Sequence, residues 1–180
     1  MQDGVRALVG ALVLAALSTF GDWVWAEFIP QDKGIHGVVH GAVIFAAIGA
    51  VLGWAAGSTD ALRRAVLGQI ALGVVVSASF YPLYHLVGIA SLFLTWMALW
   101  LGTAWLQRWV RGQDEAARRA LIRGLVAAVA SGLAFYAISG IWTRPDPEGP
   151  NYVWHFLCWT FAFLPGFLAL FLGSPRRLDP

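Results

Sequence analysis

Six apolar runs, each about twenty residues or longer, fill most of this chain, with short polar stretches between them. They cover about residues 5–29, 35–57, 65–87, 89–110, 120–142 and 152–172. A hydrocarbon core of roughly 30 Å is crossed by about 20 helical residues. Strands of a membrane barrel would be about half as long and would alternate apolar with polar side chains. These runs do neither. Within lipid, an isolated segment must satisfy its own backbone hydrogen bonds, which leaves the helix. The pattern therefore predicts an all-α, polytopic membrane protein with six transmembrane helices in one bundle, a single domain over 1–180.

Composition closes off the alternatives. Hydrophobic residues make up 59% of the chain and charged ones 12%, against about 25% charged in soluble domains. One soluble core cannot hide that excess. A net charge of +2 is too small to suggest nucleic acid as a partner. The single cysteine, Cys158, rules out an internal disulfide and a Cys-rich metal site. No Walker pattern, serine elbow or Cys-x-x-Cys appears, and nothing argues for covalent catalysis. The first run extends past the length of a signal-peptide core, with no clean Ala-x-Ala before Asp22, so it reads as a retained helix.

Charge distribution orients the bundle. Of the 12 basic residues, Arg6, Arg63, Arg64, Arg108, Arg111, Arg118, Arg119, Arg123, Arg176 and Arg177 fall on one side of a six-span layout. Lys33 and Arg144 alone fall on the other. This bias expects both termini to be cytoplasmic, in an inner or plasma membrane. The basic 108–123 region could also meet anionic lipid or a cytoplasmic partner.

Some local signals set packing. Gly37, Gly41, Gly49, Gly53 and Gly57 form a small-residue stripe on the second helix, and Gly124, Ala128, Gly132 and Gly140 form another on the fifth. Such stripes let backbones approach closely, within the chain or between copies of a homo-oligomer. Residues 58–64 read as a polar loop, Pro82 as a kink or end of the third helix, and Gly88 as a turn.

The ionisable residues gather near one end. Asp22 and Glu27 close the first run, His36 and His40 open the second, and His85 and His155 lie at the same level on the third and sixth. Ionisable groups at membrane depth usually face a cavity, a partner or water. Asp22, the deeper carboxylate, is expected to turn inward, toward Gln69, a tyrosine, His36 or His40. Two ligand-binding readings stay open, beside a third in which the protein is a small scaffold without a ligand. In one, Phe20, Asp22, Trp23, His36, His40, Phe80 and Tyr84 shape a lipid cavity with no cofactor beyond the bound lipid. In the other, His36, His40, His85 and His155 ligate a metal or haem, since an i,i+4 histidine pair shares one helix face.

The layout resembles the Insig (insulin-induced gene) family and its bacterial homologues. Glu27-Phe28-Ile29-Pro30 is similar to that family's exit from its first helix. The third and fourth helices meet in a very short turn. Phe135-Tyr136 followed by Trp142-Thr143-Arg144-Pro145-Asp146 is similar to the family's tyrosine and Tyr-Thr-Ser-Pro-Asp run. Tyr152 then opens a sixth helix with a cysteine in its outer half. The resemblance implies a non-enzymatic protein that holds or senses a membrane lipid, sterol-like or diacylglycerol-like, in a cavity among its helices, and it carries Tyr136 over as a ligand contact. Gly132 stands where the family has a glutamine, so the sterol contact made there does not carry over.

Overall fold

A computed structural model describes residues 2–28, 33–110, 115–138 and 151–172. Among the described residues it contains six helices: α1 (Gln2–Phe28), α2 (Lys33–Ala56), α3 (Thr59–Val87), α4 (Ala90–Val110), α5 (Ala117–Ile138) and α6 (Tyr152–Leu172). Five of them, α1, α2, α3, α5 and α6, are long and apolar enough to cross a membrane. α4 is 21 residues long. It carries Trp96, Trp100, Trp105 and Trp109, with Gln107 and Arg108 in its last turn, and falls outside those five. The proline and aspartate run at 142–146 lies outside the described residues, as do Arg144, Arg176 and Arg177.

α3 starts earlier than the sequence suggests. Residues 59–64 are helical, not a loop, because Ser58 caps the helix by accepting from the Ala61 N–H at 3.1 Å. Asp60 in the first turn complements the positive end of the helix dipole. Pro82 does not end α3, which continues to Val87. Gly88 then stops it at φ 60°, a conformation that favours glycine, with its N–H on the Tyr84 carbonyl at 2.9 Å.

Each helix packs against its neighbours in sequence, and α6 returns to α1, so the six form a closed ring. α2 and α3 make the most intimate pair and α1 and α2 the sparsest seam. Gly49 and Gly53 explain the first. A Cβ at either would come within 3.0 Å of the α3 backbone around Ala65, Val66 and Leu62. The stripe on α5 likewise serves the chain itself, with Gly124 against α4 at Ala104 and Leu101, and Gly132 against Phe93.

The surface is that of a lipid-facing bundle. On α1 the buried residues are Ala7, Gly10, Ala11, Leu14, Ala15, Ser18 and Gly21, while Val5, Leu8, Val9, Leu12 and Val13 face outward. Small residues inside and large apolar ones outside invert the pattern of a soluble amphipathic helix. α5 repeats it, burying Ala120, Ala127, Ala128 and Ser131 and exposing Leu121, Ile122, Leu125, Val126 and Leu133.

The end of the ring that carries Ser58 is closed by a buried ion pair. Arg123 Nη2 donates to Glu115 Oε2 at 2.6 Å, and Nη1 donates to Gln107 Oε1 at 2.7 Å and to the Leu170 carbonyl at 2.8 Å. One guanidinium thus joins α4, α5 and α6.

Candidate functional site

Toward the opposite end, at Gly88, the ring is not filled. Asp22 on α1 faces α6, where His155 and Trp159 stand four residues apart on one face. The Trp159 indole N–H donates to Asp22 Oδ2 at 2.8 Å, and His155 Nδ1 lies 3.1 Å from the same oxygen. A carboxylate only accepts, so the imidazole proton belongs on Nδ1. This joint fixes the end of α1 against the start of α6. It also anchors Trp159, whose ring stacks with Phe163 at 5.6 Å and lies 5.7 Å from Phe135. Trp96 stacks on Phe135 at 4.3 Å and donates its indole N–H to Ser131 Oγ at 2.9 Å. Ser131 in turn donates to the Ala162 carbonyl. The aromatic wall between α4, α5 and α6 is therefore held by hydrogen bonds at both tryptophans.

The facing wall depends on glycines. The His40 ring lies against Gly21 of α1, the Tyr81 hydroxyl against Gly37 and the Ser77 hydroxyl against Gly41, each in the space a Cβ would occupy. His40 stacks on His36 with centroids 6.0 Å apart, and His36 meets the edge of Trp25 at 5.3 Å.

Between the two walls lies a cavity of about 310 Å³. Five helices line it: α1, α2, α3, α4 and α6. Its apolar surface comes from residues such as Ile44, Phe45, Val76, Leu99 and Phe163. Ser18, His40, Ser77, Tyr81 and Thr95 are the polar ones. Thr95 donates to the carbonyls of Ser91 and Leu92 in its own helix, at 2.8 and 3.1 Å, so its hydroxyl offers the cavity only an acceptor. The lining residues lie in the half of each helix nearer Gly88, except Phe45 and Phe163, which lie just past the midpoints of α2 and α6. The chamber is thus an apolar hole with a sparse polar rim, open to a solute that is mostly hydrocarbon.

The structure distributes the residues singled out in the sequence. His40 and Phe80 line the chamber. Asp22 supports its wall through Trp159, and His36 backs His40. Phe20, Trp23, Tyr84 and Tyr136 are 59%, 38%, 52% and 64% exposed and point away from it. Gln69, offered as a partner for Asp22, is instead bonded to Thr103, whose hydroxyl donates to Gln69 Oε1 at 3.4 Å on α4. The four histidines do not converge: His155 is taken by Asp22, and His85 is exposed beside Tyr84. Among the described residues no three His, Cys, Asp or Glu side chains come together as a metal site requires.

Sequence reading does not single out Ser18, Ser77 and Thr95, whereas Trp25, Phe80 and Tyr81 belong to an aromatic cluster with Trp23, Phe28 and Tyr84 that it places at the entrance of an apolar pocket. Two signals were available. Trp159 follows His155 by one helical turn and so must share its face. Tyr81 and Ser77 are likewise one turn apart, opposite Gly37 and Gly41, which are spaced the same way on the neighbouring helix. The chain matches no protein-family model, no curated protein and no solved structure.

Proposed function

We propose that this is a membrane protein crossing the bilayer with all six helices, both termini cytoplasmic, and holding one hydrophobic, lipid-like molecule in the chamber. The observation that carries this reading is the chamber itself. It is walled by five long helices, apolar on nearly all sides, and its volume falls at the lower end of the roughly 300–1,000 Å³ of small-molecule sites. That room suits a single chain or a compact ring system better than a whole two-chain lipid. Filling it with hydrocarbon gains dispersion contacts that its empty walls lack. His40, Ser77 and Tyr81 would orient one polar group of the solute. The local resemblance to the Insig family points the same way.

The test is a pair of substitutions one residue apart on α3. Val76 lines the chamber and is 7% exposed, whereas Val75 faces outward at 66%. Val76→Phe should abolish the lipid retained through detergent purification, as read by native mass spectrometry, without lowering the melting temperature. Val75→Phe should keep it. Equal retention by both variants would sink the proposal.

Six crossings are supported by the ten-to-two split of basic residues and by the ring closure, which leaves α4 no route except alongside its neighbours. A periplasmic reporter enzyme fused at Gly88 should be active, and one fused at Ser58 silent. Activity at both positions, or the reverse pattern, would refute the orientation.

A further inference from the structure

The Ser58 end carries a second concavity, of about 270 Å³, lined by Asp60, Arg63, Arg64, Leu67 and Trp109. We infer that it is a binding site for one anionic glycerophospholipid, whose phosphodiester sits on Arg63 and Arg64 while an acyl chain descends over Leu67 and Trp109.

α3 has 29 residues, about 43 Å at 1.5 Å per residue, against a hydrocarbon core of roughly 30 Å. With the Gly88 end at one surface, the first two turns of α3 reach past the hydrocarbon at the other. Arg63 and Arg64 then lie in the headgroup layer, with Leu67 and Trp109 just inside it. Exposed Trp105 and Trp109, and Arg108 over the Trp105 ring at 5.4 Å, mark the same level.

Gly68 has no side chain, so Leu106 and Trp109 of α4 lie close over α3 there, at 3.2 and 3.8 Å from where its Cβ would be. Arg64 is one turn before Gly68 on the same face, and Arg63 is one turn before Leu67. The groove therefore has two guanidiniums at its upper edge and an aliphatic and an aromatic side chain below them. A soluble phosphate would use only the upper half. A phospholipid uses both.

The ion pairs among the described residues are Arg6–Asp3, Arg123–Glu115 and His155–Asp22, so neither Arg63 nor Arg64 is neutralised by a partner among them. Planar guanidiniums suit phosphate geometry. Asp60, the remaining lining residue, accepts but does not donate. It suits a headgroup with hydroxyls, such as glycerol, and leaves the lining with a net single positive charge. This site is at the other end of the bundle from the chamber and does not depend on what the chamber holds.

The probe is phosphatidylglycerol. Delipidated protein is exposed to mixed micelles of phosphatidylglycerol and phosphatidylcholine, and adducts are counted by native mass spectrometry. The intact protein should retain one phosphatidylglycerol in preference to phosphatidylcholine. Arg63→Gln with Arg64→Gln should weaken that adduct by about thirtyfold, the attraction of two arginines at an anionic surface. Arg118→Gln with Arg119→Gln, which removes the same charge from exposed positions on the same side, should keep it. Arg63→Lys with Arg64→Lys retains the charge and should recover part of the binding. Equal loss in both glutamine pairs would mean diffuse attraction only and overturn the site, as would equal retention of the two lipids. Val76→Phe should leave this adduct intact, so that loss of the chamber ligand and loss of the headgroup site are read separately.

Discussion

Glu115→Ala is expected to cost about 3–5 kcal/mol of stability, because it strands a guanidinium in the interior of the bundle. The side chains of Arg123 and Glu115 are each only 3% exposed. Their attraction offsets the desolvation of both, and removing one partner leaves the other's desolvation uncompensated. Arg123 does more than neutralise Glu115. Leu170 is in the last turn of α6, where helix carbonyls are open to partners from outside the helix. Arg123 is such a partner, and it holds Gln107 of α4 as well. Loss of the pair should therefore loosen the Ser58 ends of α4, α5 and α6 together. The check is a double-mutant cycle with Arg123→Met, followed by thermal unfolding in detergent. Each single change should be strongly destabilising. The combination should recover a large part of the loss, since no buried charge remains, although Gln107 and the Leu170 carbonyl still lack their donor. Singles that cost less than about 1 kcal/mol would show that water reaches the pair.

How much of this was legible in the sequence follows from what each signal measures. Run length and apolarity agree with the six helices among the described residues, because both report on each helix by itself. They misplaced the start of α3, where Ser58 and Asp60 favour a helix that begins in water, and polarity alone looks the same in a loop. They also ranked the interior poorly. Phe20, Trp23 and Tyr84 are aromatic and sit at the right level, but level does not fix azimuth. The exposed sides of these helices are as apolar as the buried ones, so periodicity, which reveals a soluble helix's inner face, is nearly silent here. Side-chain size is the better guide. The small residues of α1 and α5 mark the inward face, and on that rule Ser18 belongs inside and Phe20 outside.

The polar joints were hidden for a different reason. Asp22 meets His155 and Trp159 across 133 and 137 residues of chain. Arg123 meets Leu170 across 47. The level of Asp22 and His155 was readable, and so was the i,i+4 spacing of His155 and Trp159. That α6 packs back on α1, and not on some other helix, was not, because it is a property of the closed ring. The Arg123 network leaves no mark in the sequence, because the arginine fits the basic side of the charge count equally well as a surface residue.

The second large effect is expected at Gly166, where substitution by alanine should destabilise the bundle by about 3 kcal/mol, the upper part of the usual range for overpacking. The Trp100 indole occupies the place of a Cβ at this position, with three of its ring atoms within 3.0 Å of where that carbon would be. Trp100 is completely buried, and Phe167 meets its ring edge-on at 5.5 Å. Phe167 is itself held against Gly10 of α1. The indole therefore has nowhere to retreat, and a new methyl must push α6 away from α4, one turn below Trp96 at the chamber wall. Gly4→Ala, in open space on α1, should by contrast be neutral or stabilising by up to about 1 kcal/mol through helix propensity alone. Trp100→Phe offers a rescue. It removes the bulk that collides with the methyl, and it removes an indole N–H that has no acceptor in its buried position, so it should cost less than a buried tryptophan normally would. In the Gly166→Ala/Trp100→Phe double variant the melting temperature should rise above that of Gly166→Ala. The Val76→Phe-sensitive lipid should then return with it, since the same displacement of α6 would spoil the chamber. If Gly166→Ala melts like the parent protein, α4 and α6 do not meet through this pair.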